Sequence, residues 1–166
     1  MIDQKIKNMK CYICHSSDFK ERQGSVRENK DLLILECEVC GLVQLSSHEH
    51  LHEEHYKNSG MHGKEIDSME VWVNDTAEDD ERRFEMLRNM LPNQNVLDFG
   101  CGNGGFLMHA KKLAKEVIGV EPELRVQNHL QGHIKIYHNL SSVARERDFD
   151  LITAFHVIEH LPDPRS

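Results

Sequence analysis

The segment 96–107 constrains the fold of this chain more than any other part. It reads VLDFGCGNGGFL, a short apolar strand that ends in an acid and turns through glycines into a helix. Gly100, Gly102 and Gly104 permit backbone angles that other residues resist, and they let a ligand approach the main chain closely. About twenty residues later, Val117–Glu121 predicts a second strand that ends in an acid, where the hydroxyls of a ribose would lie. The pattern predicts an adenosine-containing cofactor at the carboxyl edge of a parallel sheet.

The acid before the turn helps to choose between two cofactors. Gly100, Gly102 and Gly105 also match the G-x-G-x-x-G pattern of dinucleotide-binding folds, which is weak evidence for NAD by itself. Asp98 lies two residues before Gly100, where its charge would repel a pyrophosphate but attract a sulfonium or ammonium group. The sequence therefore favours S-adenosylmethionine over NAD.

From about residue 76 to the C-terminus, the chain resembles the class I S-adenosylmethionine-dependent methyltransferases. The resemblance rests on three motifs in order: 98–104, Glu121, and the segment 149–164, FDLITAFHVIEHLPDP. It implies an α/β fold with a Rossmann-like parallel sheet and a set of cofactor-binding residues. These residues are Asp98, Gly100, Gly102, Gly104, Glu121, Phe155 and His156.

If the acceptor must be deprotonated, the side-chain chemistry of the residues after the fourth strand suggests a base. His160 is the best candidate for a general base, and Glu159 would orient it or share the proton. The alternative for His160 is a structural role, as a cap or a packing residue of the helix after the fourth strand.

Hydrophobic periodicity and capping residues place the secondary structure of this domain. A helix is predicted to start at caps near 74–76, with acids at 78–81 in its first turns and Pro92 as its end. Its apolar stripe consists of Phe84, Leu87, Met90 and Leu91. Strands are predicted near 95–99, 117–121, 134–138 and 150–155, with helices near 104–115 and 122–131. Such alternation indicates a parallel sheet with right-handed crossovers.

The chain ends soon after the fourth predicted strand, whereas a complete class I domain has seven strands. We expect the sequence to be a fragment or a truncated reading frame, with a naturally shortened protein as the alternative. The strand near 149–155 would then lie at an unprotected sheet edge and favour self-association.

Two cysteine pairs near the N-terminus predict a metal site. Cys11-x-x-Cys14 and Cys37-x-x-Cys40 are separated by 22 residues, a spacing typical of a four-thiolate structural zinc site. Apolar residues at 32–35 fit a ribbon of short antiparallel strands. Two disulfides or reduced thiols are the alternatives, and no apolar signal segment precedes the first pair. Cys101, within the glycine turn, is interpreted as a small turn residue.

Charge argues against nucleic acid as a partner of this ribbon. Residues 11–45 carry four Lys or Arg against six Asp or Glu, and the whole chain has a formal charge of −8. Without a basic stripe to neutralise phosphates, we expect a small-molecule substrate instead. Zinc-ribbon methyltransferases of bacterial sugar and small-molecule modification have a similar order of segments, which suggests a nucleotide sugar or a saccharide precursor.

The predicted organisation has three parts: a zinc ribbon at 1–45, an acidic, histidine-rich connection at 46–75, and a partial cofactor-binding domain at 76–166. The connection contains His48-Glu49-x-x-His52, which matches the zinc-hydrolase motif H-E-x-x-H but lies among many other histidines. A zinc hydrolase is therefore a remote alternative, and a non-catalytic cofactor-binding or interaction module is a nearer one. No apolar run is long enough to span a membrane, and we expect a cytoplasmic protein.

Overall fold

A computed structural model describes residues 9–26, 29–47, 68–143 and 148–161. The chain divides into two compact units, with one boundary between Leu51 and His52 and the other between Ile158 and Glu159. The first unit contains the N-terminal ribbon and the last residues of the chain, and the second contains the glycine turn. The predicted hydrolase motif at His48, Glu49 and His52 lies outside the described residues.

The N-terminal unit is built on an antiparallel ribbon of three short strands. Strand β1 spans Phe19–Arg22, β2 spans Ile34–Cys37 and β3 spans Val43–Leu45, and they pair in the order β1-β2-β3. Its small core consists of Cys11, Phe19, Leu35 and Cys37, with partly buried apolar residues packed against them. Since cysteines make up half of this buried cluster, the hydrophobic core alone is small for independent folding.

The second unit begins with helix α1, Met69–Leu87, followed by a 3-10 turn over Arg88–Met90. The predicted start near residue 76 is wrong, because Ser68 caps the helix by accepting a hydrogen bond from the N–H of Val71. Of the predicted stripe, Phe84 and Leu91 are buried, whereas Met90 is exposed because it lies in the 3-10 turn.

Parallel strands form the centre of this unit and carry the predicted site. Strand β4 spans Asn95–Phe99, β5 spans Glu116–Val120, β6 spans Lys135–Tyr137 and β7 spans Leu151–Thr153. Helix α2, Gly105–Ala110, connects β4 to β5, and α3, Leu124–Leu130, connects β5 to β6. All pairs are parallel, and the order β6-β5-β4-β7 puts the first strand next to the last. The predicted α/β class and parallel sheet are confirmed.

Central strands β4 and β5 are buried on both faces, as expected for a parallel sheet covered by helices. In contrast, β7 pairs only with β4 among the described residues, and its middle residue Ile152 is 63% exposed. None of the helices in the described ranges combines the length and the apolar character that a membrane crossing requires.

Candidate functional site

The glycine turn joins the carboxyl end of β4 to the start of α2. Gly100, Gly102 and Gly104 have φ values of 71°, 53° and 80°, in the left-handed region that favours glycine. The N–H groups of Gly100 and Cys101 both donate to the carbonyl of Val120, at 2.8 and 3.2 Å. These bonds fix the turn against the end of β5, so the two predicted cofactor-binding segments lie side by side.

The glycines of this turn differ in what surrounds them. A Cβ atom on three of them would lie closer than 3 Å to a packed side chain: Gly100 at 2.3 Å from Val157, Gly104 at 2.5 Å from Leu130, and Gly105 at 2.1 Å from Asp80. At Gly102 the nearest atom would be 3.5 Å away, on the ring of Trp72, which is an ordinary contact. Gly102 is therefore the turn glycine at which a Cβ would have room, with the Trp72 ring in van der Waals contact beside it.

Asp98 lies at the end of β4 and is only 3% exposed. Its Oδ1 accepts a hydrogen bond of 2.7 Å from the hydroxyl of Thr153 on the neighbouring strand β7. Burial raises the pKa of Asp98 to about 6, although the Thr153 hydroxyl and the charge of Arg83 lower it. A positive group beside this carboxylate would favour its ionised form.

Glu121 directly follows β5 and bridges two backbone segments. Its Oε2 accepts from the N–H of Gly102 and its Oε1 accepts from the N–H of Glu123, both at 3.0 Å. Burial raises the pKa of Glu121, and these two N–H groups lower it. Because each carboxylate oxygen has two lone pairs, one on each oxygen remains for a hydroxyl donor.

Helix α1 contributes a polar network that the sequence interpretation missed. The Asn103 amide donates to the Thr76 hydroxyl at 2.7 Å, and this hydroxyl lies 2.9 Å from Asp80 Oδ2, to which it donates. Asn103 Oδ1 accepts from the N–H of Gly105 at 3.0 Å, and the N–H of Phe106 donates to Asp80. Asp80 is 4% exposed, and it does not lie in the first turns of the helix as predicted, because α1 begins eleven residues before it. The spacing of Thr76 and Asp80, one helical turn apart, is the signal that could have revealed this face.

Arg83 provides the positive charge for this buried acid. Its guanidinium pairs with Asp80 at 3.3 Å and also with Asp79, and it lies 5.0 Å from the ring centroid of Phe155. Burial raises the pKa of Asp80, whereas the Thr76 hydroxyl and Arg83 lower it. Arg83 therefore balances part of the negative charge that the turn accumulates.

The remaining predicted site residues lie after β7. Phe155 packs edge-on against Phe106 at 5.2 Å between ring centroids, which places its ring against the core beside α2. His156 is exposed and has a φ of 54°. Glu159 and His160 end a 3-10 turn, Ile158–His160, and are grouped with the N-terminal unit. Their proposed role as base and orienting acid stays a prediction.

The four paired cysteines form a cluster of metal-ligand type. Their sulfur atoms all lie within 4.8 Å of one another, and the pairs Cys11–Cys40 and Cys14–Cys37 are 3.4 Å apart. Four sulfurs at tetrahedral zinc, with bonds of about 2.3 Å, are separated by roughly 3.8 Å. The donor set therefore fits zinc in number, type and spacing, and the cysteines are not joined by disulfides.

Ionisation of this cluster also indicates a need for a cation. Burial raises the pKa of Cys11, but the backbone N–H groups of Cys14 and Ile13 lower it by more. The net result is a pKa of about 7. The N–H of Ser16 lowers the pKa of Cys14, but burial and the neighbouring thiols raise it to about 12. Because four adjacent thiolates repel one another, they would all ionise only around a divalent cation.

The fold and the turn together define an α/β domain with a glycine turn where parallel strands end, which is the place where folds of this class bind nucleotide-type cofactors. The family described as "Methyltransferase domain" matches residues 68–166, and the chain belongs to this family. The match begins at Ser68, the residue that caps α1. The family predicted from the three motifs is thus confirmed.

Several characterised methyltransferases are similar to this chain. It is 34% identical over 93 residues to ubiquinone biosynthesis O-methyltransferase of Xanthomonas campestris pv. campestris, covering 49% of this chain and 38% of that protein. It is 29% identical over 89 residues to the protein of the same name in Hahella chejuensis, covering 48% and 37%. Identity to ribosomal protein L11 methyltransferase of Burkholderia lata is 32% over 73 residues, covering 40% and 24%. The aligned part of the chain spans less than two fifths of each of these relatives.

Solved structures with a similar arrangement are also methyltransferases. One is magnesium protoporphyrin IX methyltransferase from Synechocystis PCC 6803 with bound SAM, at 15% identity and a TM-score of 0.49 over 70% of this chain and 65% of that chain. Another is a putative S-adenosylmethionine dependent methyltransferase from Listeria monocytogenes, at 22% identity and a TM-score of 0.35 over 43% of this chain and 38% of that chain.

Proposed function

We propose that the second unit binds S-adenosylmethionine and takes part in methyl transfer to a small molecule. The observation that carries this proposal is the hydrogen bond from the Gly102 N–H to the Glu121 carboxylate, which joins the glycine turn to the end of the adjacent parallel strand. Membership of the methyltransferase family supports it.

The charges at the turn suit a cationic cofactor better than a dinucleotide. Asp98 and Glu121 both lie beside the turn, and burial raises both pKa values. A sulfonium and an ammonium group would stabilise such carboxylates, whereas a pyrophosphate would be repelled. In addition, the N–H of Phe106 in the first turn of α2 donates to the buried acid Asp80, so this N–H is already used and does not face a pyrophosphate.

Each residue then has a defined task. Glu121 would accept hydrogen bonds from ribose hydroxyls through its two remaining lone pairs, and the missing side chain of Gly102 would let the ligand approach the backbone. Asp98 would offer negative charge to the amino acid part of the cofactor, directly or through its neighbours. When bound, the cofactor supplies an electrophilic methyl group, so positioning accounts for most of the protein's contribution.

For the acceptor, we propose a small molecule with an ionisable hydroxyl or carbon acid, a nucleotide sugar being the specific candidate. Relatives whose names specify ubiquinone biosynthesis support the small-molecule class. His160 would take the acceptor proton and Glu159 would orient its ring. The alternative is a non-catalytic module that binds the cofactor alone.

Calorimetry with S-adenosylhomocysteine and NAD tests cofactor choice. We expect S-adenosylhomocysteine to bind more tightly, and Glu121→Gln to weaken it about tenfold or more by losing charge-assisted hydrogen bonds. Glu116→Gln is the matched control, since Glu116 lies at the opposite end of the same strand β5. Tighter binding of NAD, or equal effects of the two substitutions, would contradict the proposal.

Transfer from labelled cofactor to a panel of nucleotide sugars, phenolic quinone precursors and a ribosomal protein tests the acceptor. We expect label in a small molecule, and we expect His160→Ala to reduce turnover while leaving the S-adenosylhomocysteine Kd unchanged. Cofactor binding without transfer to any acceptor would favour the non-catalytic module. Label in the ribosomal protein alone would show that the acceptor is a protein and would contradict the proposed small-molecule class.

For the N-terminal unit, we propose a structural zinc ion held by Cys11, Cys14, Cys37 and Cys40. The geometry and repulsion of the four sulfurs support it, and a reducing cytoplasm is the compartment in which such thiolates persist. Elemental analysis should give about one zinc per chain, lost in the double variant Cys37→Ser, Cys40→Ser but kept in Cys101→Ser. Zinc content that is unaffected by the double substitution would refute the site.

A further inference from the structure

One face of helix α1 packs against the glycine turn, with successive residues of the face contacting different residues of the turn. Trp72, Thr76 and Asp80 are spaced by four, so their side chains lie in a row along the helix. Thr76 is hydrogen-bonded to Asn103, and Asp80 lies against Gly105. The third member of the row, Trp72, lies over Gly102 in the same way.

The contacts of Trp72 differ from those of its two neighbours in the row. Thr76 and Asp80 are held at the turn by hydrogen bonds, whereas the six-membered ring of Trp72 lies in van der Waals range of Gly102, the turn glycine at which a Cβ would not clash. Its Cζ2 and Cη2 atoms lie 3.5 and 4.0 Å from the position of a Cβ on Gly102. A ligand that contacts the Gly102 backbone therefore meets this ring.

The indole is also placed to attract positive charge. The guanidinium carbon of Arg125 lies 5.7 Å from the Trp72 ring centroid, and Arg125 is itself paired with the buried Glu123 at 2.5 Å. Tryptophan has the most favourable ring face for cations, and the attraction increases when water is excluded. The surroundings of Gly102 therefore combine an aromatic face with the carboxylate of Glu121, and both interact favourably with a cation.

We propose that Trp72 contacts the bound cofactor at Gly102 and contributes an aromatic face that attracts the cofactor's sulfonium charge. This inference rests on the proposed binding of S-adenosylmethionine. It adds a binding residue from α1 to a site otherwise made of strand ends and the glycine turn. It also predicts that the site distinguishes the sulfonium cofactor from its neutral thioether product through this ring.

The sequence offers a direct probe, because Trp72 is the only tryptophan in the chain. Titration with S-adenosylhomocysteine should change the intrinsic tryptophan fluorescence saturably, with the Kd that calorimetry gives. Calorimetry with both ligands then compares Trp72→Phe and Trp72→Leu with the wild type. Val71→Ala is the control, since Val71 precedes Trp72 on α1 and its side chain is exposed.

We expect Trp72→Leu to weaken S-adenosylmethionine about tenfold, and S-adenosylhomocysteine clearly less. Trp72→Phe should retain part of this preference, because a phenyl ring attracts cations more weakly than an indole. The control should bind both ligands like the wild type. Circular dichroism checks that each variant is folded. If Trp72→Leu does not fold, Trp72→Phe tests the inference, which requires a smaller ratio of the two affinities than in the wild type.

Two negative results have different meanings. If the wild type binds S-adenosylhomocysteine without a fluorescence change, or if Trp72→Leu weakens both ligands equally, the inference is wrong while the proposed function stands. If the wild type binds neither ligand by calorimetry, the proposed function itself is wrong, and the inference falls with it.

Discussion

Substituting Gly105 by alanine should expose the contact between α1 and the glycine turn. Gly105 has an ordinary negative φ, so the change adds no backbone strain. Its new Cβ would lie 2.1 Å from Oδ2 and 2.6 Å from Cγ of Asp80. The carboxylate would have to move, although Thr76, Arg83 and the Phe106 N–H hold it in place.

The expected loss of stability is estimated from the displacement of the Asp80 carboxylate. Overpacking costs about 1–3 kcal/mol, and the loss of one hydrogen bond to a charged group costs about 1.5–3 kcal/mol. We therefore expect Gly105→Ala to reduce the free energy of unfolding by about 2–4 kcal/mol. In an Asp80→Ala background the obstacle is absent, and alanine is favoured over glycine in a helix by up to about 1 kcal/mol. The substitution should then be neutral or stabilising.

Urea unfolding of the wild type, the two single variants and the double variant measures this coupling. Circular dichroism at the helical band reports the second unit, because α1, α2 and α3, the α-helices of the described residues, all lie in it. A coupling energy near 3 kcal/mol would be at the upper end for residues in contact. If Gly105→Ala costs the same in both backgrounds, Asp80 does not limit the space at Gly105 and the reasoning is refuted.

Four further outcomes are expected. Affinity for S-adenosylmethionine should fall about tenfold from pH 7 to pH 5, because Asp98, with its pKa of about 6, becomes protonated; Asp98→Asn should remove this dependence in calorimetry. The pH dependence of folding stability should have the opposite sign. Because the pKa of Asp98 is raised in the folded state, Asp98 contributes most to stability below its ordinary pKa of 3.8, and this contribution is lost as the pH rises through about 6. Thermal unfolding of the wild type and Asp98→Asn across this range measures the effect, and a profile unchanged by the substitution would contradict it. Chelation of zinc should unfold the ribbon while the helical circular dichroism persists, and a parallel loss of the helical signal would count against two separate units. If β7 mediates self-association, Ile152→Lys should weaken the association at least about tenfold in sedimentation. Leu124→Lys, at an exposed residue of α3, should leave the association unchanged.

Short-range patterns were sufficient for the parts of the fold that depend on neighbouring residues. The strand 95–99 was predicted with its observed bounds, because a short apolar run before a glycine turn has few alternatives. The β5 strand was displaced by one residue, and α3 fell within its predicted range. The cysteine pairs likewise predicted a cluster that the structure brings together.

The predicted start of α1 shows where local signals failed. Asn74 and Thr76 were interpreted as caps, and the acids that follow were placed in the first turns of the helix, where they would favour its positive end. The structure instead has Ser68 as the cap, and the hydroxyl of Thr76 is bound to Asn103 and Asp80. A capping residue in the middle of a helix can be recognised only when its tertiary partner is known.

The sequence by itself determined the α/β class, the glycine turn, the two acids at the strand ends and the thiol cluster. Each of these depends on residue type, backbone freedom or spacing within a short stretch of chain. Only the tertiary structure decided at which turn glycine a Cβ would have room and at which it would clash with a packed side chain. Gly102 and Gly105 cannot be distinguished by type, because the difference arises from Trp72 and Asp80 on a helix about thirty residues earlier in the chain. Packing between distant segments therefore made one glycine a candidate ligand contact and the other a structural contact.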